Sequence, residues 1–237
     1  MTTAIIVAAG KGTRMGPNVD KLFLDIAGRP VVAHTWQRFD DANCIQEIIL
    51  VVRDGMQSAF QDLAKGLALK KPFRLVAGGA ERQDSVWNGL HAVSDATEIV
   101  AIQDGARPCT SLALIEATVE AARECGAAVA AQPVTDTIKE SANSKVIDRT
   151  LDRSKLWAVQ TPQAFHLEII HRGLAEVKKR GMHVTDDTAA CELIGQKVHL
   201  ISSIQPNPKI TTPEDIAYAA LLLQREGMTT QAPRLRR

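Results

Sequence analysis

A loop near the N-terminus combines glycines and cations at a spacing that could hold an anion. It lies within the stretch AIIVAAGKGTRMGPNVDKLFL, which begins at Ala4, and it joins two apolar runs. Glycines allow backbone N–H groups to approach a phosphate closely, and successive N–H groups form a concave site for its oxygens. The cationic side chains would add full charges to that field. The residues concerned are Gly10, Gly12 and Gly16 together with Lys11, Arg14 and Lys21.

This loop does not match the two most familiar phosphate-binding patterns. Counted from Gly10, the third glycine of the dinucleotide fingerprint GxGxxG is replaced by Met15, and the pattern GxxxxGK[ST] is missing. The alternative interpretation is an ordinary turn between a strand and a helix, with its cations in solvent. The loop alone therefore indicates an anion site without naming the ligand.

A second group of polar residues follows a later apolar run. In QDGARP, Asp104 could hold a divalent metal or a sugar hydroxyl, and Arg107 could bind an oxyanion through two hydrogen bonds. Lys209 lies just before TPEDI, which is typical of a helix start, so an anion could bind between this lysine and the helix N-terminus. The alternative is structural: Asp104 caps the turn and pairs with Arg107.

The sequence does not indicate nucleophilic catalysis by serine or cysteine. No histidine shares a motif with a nucleophile, and nothing near Cys109 marks it as one. Glycines, cations and one acidic residue suit phosphoryl transfer, in which positioning and charge stabilisation supply most of the catalysis. The histidines are His34, His91, His166, His171, His183 and His199.

Short apolar runs alternate with helix-like segments along most of the chain. Runs that are apolar throughout are typical of parallel strands covered on both faces. We therefore predict an α/β fold with a doubly wound, mostly parallel sheet. The predicted strands are 3–8, 47–52, 73–79, 98–104, 127–134, 157–160 and 197–202, and the predicted helices are 31–42, 57–65, 82–93, 111–124 and segments starting near 166, 187 and 213.

Three of the loops that follow predicted strands carry the distinctive residues. They are AAGKGTRMG, AGGAERQDS and QDGARP. In an open parallel sheet, ligands bind beyond the carboxyl ends of the strands. We therefore expect these separate parts of the chain to line one crevice.

Residues 135–156 interrupt the alternation of strands and helices. Their sequence, TDTIKESANSKVIDRTLDRSKL, is polar and β-branched with a turn at SANSK, which predicts a protruding β-hairpin arm. Such an arm needs a surface to lie against, so we expect a homodimer; a long surface loop is the alternative. No linker divides the chain, which indicates one domain over 1–226 and a loose basic tail at 227–237.

Composition excludes several classes of protein. The 237 residues carry 28 Lys and Arg against 27 Asp and Glu, a balance that does not favour binding to nucleic acid or to an anionic membrane surface. No run approaches the roughly 20 apolar residues of a membrane-spanning helix. The four cysteines form no CxxC pair, so neither a zinc site nor a disulfide framework is predicted, and the cytoplasm is the expected location.

Motifs along the chain resemble, in order, those of the 2-C-methyl-D-erythritol 4-phosphate cytidylyltransferase family. AAGxGxRM is shared by many nucleotidyltransferases, whereas GGxxRxxSVxNGL, DGARP and DRxxLWxxQTPQxF are far more specific. The resemblance extends from about Ala4 to Tyr218. The matching segments are VAAGKGTRMG, DKLFLDIAGRPVVAHT, GGAERQDSVWNGL, IQDGARP, PVTDTIK, RTLDRSKLWAVQTPQAF, VTDDTAACE and KITTPEDI.

The resemblance implies a Rossmann-like nucleotidyltransferase fold and transfer of CMP from CTP to a polyol phosphate, with release of pyrophosphate. It implies in-line attack of the substrate phosphate on the α-phosphorus, with Arg14 and Lys21 as catalytic cations. Mg²⁺ would bridge the phosphates, with Asp104 as the nearest protein carboxylate. The implied CTP-binding residues are Ala8, Ala9, Gly10, Gly12, Gly79 and Ser85.

The resemblance also implies a site for 2-C-methyl-D-erythritol 4-phosphate, on the pathway to isoprenoid precursors. Thr137 and Arg153 lie in the predicted arm, which in the family crosses to the neighbouring subunit. The dimer is therefore expected to complete the active site. The implied substrate-binding residues are Asp104, Arg107, Thr137, Arg153, Thr185 and Lys209.

Two departures from the family pattern leave alternatives open. Many members have PKQ around the catalytic lysine, whereas this chain has Asp20-Lys21-Leu22, and Ala80 stands where some members have Asp. MGxDKxxL also occurs in molybdopterin nucleotidyltransferases, which the GGAERQDSV and DGARP segments fit less well. A ribitol-5-phosphate cytidylyltransferase would share the cytosine site and the cations, and a non-catalytic nucleotide-binding protein would be expected to lack the catalytic charges.

Overall fold

A seven-stranded sheet with helices on both faces forms the centre of the molecule. The computed structural model describes residues 1–10, 12 and 20–231. The strands are β1 Thr2–Ala8, β2 Asp25–Ile26, β3 Arg29–Pro30, β4 Glu47–Val52, β5 Phe73–Ala77, β6 Ile99–Asp104, β7 Ala127–Pro133, β8 Lys139–Glu140, β9 Arg149–Thr150, β10 Trp157–His166 and β11 His199–Ser202. The helices are α1 Val31–Asp41, α2 Gln57–Lys65, α3 Arg82–Leu90, α4 Leu112–Cys125, α5 Leu167–Lys179, α6 Asp187–Leu193 and α7 Pro213–Gln231.

The sheet has the strand order β11-β7-β10-β6-β1-β4-β5. All six residues of β4 and of β6 are buried, which explains why both segments are apolar throughout rather than alternating. β1 pairs in parallel with both of them, with Ala8 opposite Val52 and Val7 opposite Asp104. The carboxyl ends of these three strands therefore lie side by side at one edge of the sheet.

Hydrophobic clusters on the two faces of the sheet hold the helices. Trp36 and Phe39 of α1 and Ile115 of α4 belong to one cluster. Val86 of α3 and Leu174 of α5 belong to the other. Each face is therefore covered by helices, and the predicted doubly wound α/β fold is confirmed.

One strand, β10, runs antiparallel to both of its neighbours, β6 and β7. The sequence predicted a strand over 157–160 only, because the TPQ that follows contains a proline and polar residues. β10 instead continues to His166, with a register shift between Val159 and Gln163. The Asp104 N–H donates to Thr161 Oγ1 at 3.1 Å. This irregular part of β10 therefore lies against the carboxyl end of β6.

The predicted arm is a short, exposed β-hairpin. β8 and β9 pair in antiparallel orientation, and Arg149 forms a 2.6 Å ion pair with Glu140 across them. At the base of the arm, the Val134 N–H donates to the carbonyl oxygen of Leu156 at 3.0 Å. Every residue from 139 to 150 is exposed, so the outer arm adds nothing to the buried core. The prediction of a hairpin is confirmed, although the pairing is short.

The last helix extends beyond the boundary that the sequence suggested. A loose tail was predicted for 227–237, but α7 continues to Gln231, so residues 227–231 are helical. Residues 232–237 lie outside the described residues. In the part of the chain that the structure describes, no helix combines the length and the apolar character needed to cross a membrane.

Candidate active site

A crevice of about 820 Å³ lies beyond the carboxyl ends of four neighbouring parallel strands. This volume falls within the range of roughly 300–1,000 Å³ that is usual for small-molecule sites. The loops after β1, β5 and β6 meet there as expected, and the loop after β4 joins them. The lining residues include Ala9, Gly10, Lys21, Arg53, Asp54, Gly78, Gly79, Arg82, Ser85, Asp104 and Lys209.

The crevice wall between β1 and β5 consists mainly of backbone. The Gly79 N–H donates to Ser85 Oγ at 3.1 Å, and that hydroxyl donates to the Glu81 carbonyl oxygen at 3.2 Å. Gly78 approaches the first loop so closely that a Cβ built on it would lie 2.3 Å from the Cβ of Ala9. A flat heterocyclic base could enter this space and reach backbone donors and acceptors directly.

Lys21 lines the same crevice from the segment that precedes β2. Its Nζ donates to the carbonyl oxygen of Ile210 at 2.9 Å. Gly12 lies beside the lysine stem: its φ is +62°, and a Cβ there would be 3.2 Å from the Lys21 Cγ and Cδ atoms. A larger residue at this position would be strained and would crowd the lysine. The predicted partner cation, Arg14, lies outside the described residues.

Asp104 is surrounded by three cations. Its Oδ2 lies 2.8 Å from Lys209 Nζ and 3.6 Å from Arg107 Nε, and its Oδ1 accepts a hydrogen bond from Arg82 Nε at 3.3 Å. Burial alone would raise the pKa of Asp104, but the three cations outweigh it and hold the pKa well below its ordinary value. The carboxylate is therefore ionised at neutral pH.

Arg82 connects Asp104 to a second buried carboxylate. Its Nη2 lies 2.9 Å from Oδ2 of Asp187, whose side chain is 1% exposed. Burial raises the pKa of Asp187, and attraction to Arg82 offsets part of that effect. Burial opposes the charge of Arg82, but the two carboxylates outweigh it and raise the pKa of Arg82. No role was predicted for Arg82 or Asp187, because local spacing cannot show that their two segments meet.

Arg107 is held in position by a hydrogen-bonded network. Its Nη1 donates to the Asn207 carbonyl oxygen at 2.7 Å. The Asn207 Nδ2 group donates to the Thr161 carbonyl oxygen at 2.8 Å, and Thr110 Oγ1 donates to Asn207 Oδ1 at 2.9 Å. Burial lowers the pKa of Arg107, although a guanidinium stays charged at neutral pH. Arg107 lines a smaller cavity of about 340 Å³, which shares Lys209 with the main crevice.

The structure brings most of the predicted site residues together. Thr137 and Arg153 belong to the exposed arm, Thr185 lies on an exposed loop before α6, and none of the three lines the crevice. Arg153 Nη1 donates instead to the Thr135 carbonyl oxygen at 2.6 Å. Residues at or next to the crevice are Ala8, Ala9, Gly10, Gly12, Lys21, Gly79, Ser85, Asp104, Arg107 and Lys209.

A preformed metal site is not present among the residues that the structure describes. No group of three or more His, Cys, Asp or Glu side chains in this part of the chain could hold an ion. Both oxygens of Asp104 already contact cationic groups, which disfavours direct coordination of a metal by this carboxylate.

The arrangement suits the binding and transfer of an anionic group. Lys21, Arg82 and Lys209 line one crevice, and the N-terminus of α3, a favourable end for anions, opens at Arg82. The structural interpretation of QDGARP is confirmed as far as the pairing of Asp104 with Arg107, and the position of Asp104 on the crevice wall is compatible with ligand binding as well. The cations can neutralise phosphates, and the ionised carboxylate of Asp104 can accept hydrogen bonds from hydroxyl groups.

Known proteins resemble this chain over nearly its whole length. A family model described as 2-C-methyl-D-erythritol 4-phosphate cytidylyltransferase matches residues 2–225. Proteins of that name from Pelotomaculum thermopropionicum and Alkaliphilus oremlandii are 40% and 42% identical, over 97% and 95% of this chain and 97% of each relative. A crystal structure of 4-diphosphocytidyl-2C-methyl-D-erythritol synthase from Anaerococcus prevotii is 33% identical, covers 94% of this chain and 96% of its own, and has a TM-score of 0.83.

Proposed function

Since this chain belongs to the 2-C-methyl-D-erythritol 4-phosphate cytidylyltransferase family, we propose below how its crevice carries out the family reaction. The protein is a nucleotidyltransferase that transfers CMP from CTP to 2-C-methyl-D-erythritol 4-phosphate, on the pathway to isoprenoid precursors. The products are 4-diphosphocytidyl-2-C-methyl-D-erythritol and pyrophosphate. The observation that carries this conclusion is the match to one family over residues 2–225.

The reaction needs positively charged groups near the triphosphate of CTP, because negative charge accumulates there in the transition state. A phosphate oxygen of the polyol substrate attacks the α-phosphorus of CTP; a new P–O bond forms there, and the bond to the bridging oxygen of the β-phosphate breaks. Pyrophosphate leaves with that electron pair. In our proposal Lys21 and Arg14 stabilise the charge on the triphosphate and at the α-phosphorus. The crevice position of Lys21 supports its role, and that of Arg14 rests on the sequence.

The nucleotide would occupy the side of the crevice between β1 and β5. We assign the cytosine to the backbone of Ala8–Gly10 and to the Gly79–Ser85 turn, and the phosphates to Gly12 and the cations beyond it. Support comes from the glycine-rich wall, where the Gly79 N–H and the Ser85 hydroxyl meet at 3.1 Å. Backbone groups of such a wall can form hydrogen bonds with the edge of a base, while the face of the base lies against apolar atoms.

The polyol phosphate would bind around Asp104. An ionised carboxylate accepts hydrogen bonds from hydroxyl groups, and Arg107 and Lys209 can bind a phosphate. Lys209 lines both the main crevice and the smaller cavity beside it, and Arg107 lines the smaller cavity, which gives the second substrate its own approach to the α-phosphorus. Thr185, two residues before Asp187, is assigned to the same substrate from the family resemblance.

A homodimer would bring the arm residues to the polyol. Thr137 and Arg153 do not line the crevice of their own chain, so we propose that they reach the crevice of a second copy. Mixing Arg153→Ala with Lys209→Ala subunits, each inactive alone, should restore about a quarter of wild-type activity. The reason is that half of randomly mixed dimers combine both variants, and each of these has one intact site. Continued inactivity of the mixture would place both residues in one subunit.

Mg²⁺ would enter with the nucleotide as part of the substrate. We propose that it is held mainly by the phosphates, with Asp104 as the nearest protein carboxylate, since Mg²⁺ usually keeps few protein ligands at such sites. Calorimetry of CTP binding with and without Mg²⁺ tests this. Tight Mg²⁺ binding to the protein without nucleotide would contradict it.

The identity of the second substrate is tested by pyrophosphate release. The protein, CTP and Mg²⁺ are combined separately with 2-C-methyl-D-erythritol 4-phosphate and with ribitol 5-phosphate. Release with the first alone is the expected result. Release with ribitol 5-phosphate alone would keep the chemistry but reassign the pocket around Asp104. Release with neither, from folded protein, would return the molybdopterin and non-catalytic alternatives. We further propose a cytoplasmic location, which is the expectation for four cysteines without a CxxC pair.

A further inference from the structure

Asp20, which departs from the family pattern beside the catalytic lysine, has two partners in the structure. Its Oδ2 lies 2.6 Å from Nη2 of Arg53, and its Oδ1 accepts the Leu22 N–H at 3.1 Å. The side chains of Arg53 and Asp20 are 33% and 25% exposed, so their ion pair lies largely out of water. One carboxylate thus connects the end of β4 with the backbone directly after Lys21.

The segment around Lys21 is held on both sides. Leu22 is 3% exposed, and its carbonyl oxygen accepts the Val32 N–H at 3.0 Å, so the chain after Lys21 is anchored in the core. The carboxylate of Asp20 supplies the anchor before Lys21. With both neighbours held, the lysine stem must start from a defined position at the rim of the crevice.

Arg53 directly adjoins a strand that is paired on both sides. It directly follows β4, whose residues are all buried and which pairs with β1 and β5. A short, charge-assisted hydrogen bond that is partly removed from water is stronger and less screened by salt than a pair on the surface. Arg53 therefore gives Asp20 a fixed point beside the crevice.

We propose that the Asp20–Arg53 ion pair is a clasp that positions Lys21 for phosphoryl transfer. Where many family members have proline before the lysine, the ring restricts the backbone by itself; here an ion pair supplies the restriction. Asp20 and Arg53 are positioning residues, which act through Lys21. The inference rests on the proposed role of Lys21 as a catalytic cation.

Breaking the clasp should lower turnover more than it weakens binding. A displacement of about 1 Å at a catalytic group can cost on the order of 10²-fold in rate. Asp20→Asn keeps an oxygen for the Leu22 N–H but loses the charge, and Arg53→Met keeps much of the stem but loses the guanidinium. We expect each to lower kcat about tenfold, with KM for both substrates changed less than about twofold.

The two substitutions should not add. If the residues act through one interaction, the double variant loses no more turnover than either single variant. Arg53→Lys should recover part of the loss, because it restores the charge without the guanidinium fork. Asp62→Asn and Lys65→Met remove a fully exposed ion pair on α2, and these controls should turn over at the wild-type rate. Thermal melts of every variant establish that it is folded.

Lys21→Ala separates the clasp from the proposed function. In that background, Asp20→Asn should cause no further loss of turnover. If Lys21→Ala keeps wild-type turnover, both the catalytic role and the clasp are wrong. If Lys21→Ala is inactive while Asp20→Asn is unchanged, the clasp alone is wrong. Losses that multiply, with a raised KM for CTP in Arg53→Met only, would also overturn the clasp, because Arg53 would then bind the nucleotide itself.

Discussion

Lys21 is the residue whose replacement should lower turnover most directly. It lines the crevice, and removal of a charge that stabilises the transition state typically costs about 10²–10³-fold in kcat. We expect a loss of that size for Lys21→Ala, measured by pyrophosphate release. Lys21→Arg should not restore the rate, because a planar fork does not replace a compact ammonium. Near-normal turnover of the Lys21→Ala variant would show that Lys21 is not a catalytic cation.

Asp104→Asn should destabilise the fold in a way that depends on pH. The variant removes the carboxylate that Lys209, Arg82 and Arg107 contact, although Arg82 keeps Asp187. Removing one partner from a buried ion pair costs about 3–5 kcal/mol. Folding lowers the pKa of Asp104, so its stabilising effect is complete above the ordinary carboxyl pKa of about 4 and is lost as the pH falls towards the lowered value.

Urea unfolding of wild type and Asp104→Asn between pH 7 and pH 3 measures this effect. The difference in unfolding free energy should be largest at neutral pH and should narrow below about pH 4. Asp62→Asn, on an exposed part of α2, serves as the control and should show little difference at any pH. A difference for Asp104→Asn that stays constant with pH would mean that ionised Asp104 is not the stabilising form.

The sequence indicated the residues that line the crevice better than it indicated their partners. Asp104, Lys21 and Lys209 belong to motifs that can be recognised without a structure. Arg82 and Arg53 could not be assigned, because each pairs with a carboxylate far along the chain. Spacing within a motif says nothing about such pairs, since the fold alone decides which distant charges meet.

At the scale of elements, the packing of the loop after β5 against the loop after β1 leaves no room for a side chain at Gly78. An added Cβ would lie 2.3 Å from the Cβ of Ala9 and 3.0 Å from Ser85 Oγ. We expect Gly78→Ala to lower the free energy of unfolding by about 1–3 kcal/mol, as overpacking does, and to raise KM for CTP by moving the proposed base-binding wall.

Gly66→Ala is the matched control for this change. Gly66 follows α2 with helical φ and ψ, and an added Cβ would lie 3.5 Å from the nearest atom, the Leu63 carbonyl oxygen. Its stability should change little. Chemical denaturation and initial-rate kinetics of both variants give the two readouts. Equal stability for the two alanine variants would show that the loops can move apart without cost.

Elements that are apolar throughout were predicted well, and irregular ones were not. β4 and β6 are buried along their whole length, and burial on both faces leaves an unbroken apolar sequence. β10 contains a register shift between Val159 and Gln163. The residues at this shift include polar ones and a proline, so the sequence did not indicate that the strand continues beyond them. Its antiparallel direction depends on the path of the chain, which periodicity cannot show.

For the molecule as a whole, we expect the exposed arm to determine how tightly two copies associate, but not whether one copy folds. Replacing residues 141–148 by Asn-Gly would give a two-residue hairpin turn between β8 and β9, while every residue removed is exposed. We expect an unchanged thermal midpoint for the isolated chain, with weaker self-association measured by analytical ultracentrifugation. An equally tight dimer would show that the tip of the arm takes no part in assembly.

The base of the arm, where it joins the sheet, separates changes in the arm from changes in the strands that carry the crevice. The chain leaves the sheet at Pro133 and returns at Trp157, and these residues face each other in neighbouring strands. Topologically the arm is an insertion, so its length and most of its sequence can drift, or be exchanged for that of a relative, while the strand order stays the same. Thr137 and Arg153, which we propose to contact the substrate, lie nearer the base than β8 and β9, so the outer arm can diversify in sequence faster than the residues that serve the reaction.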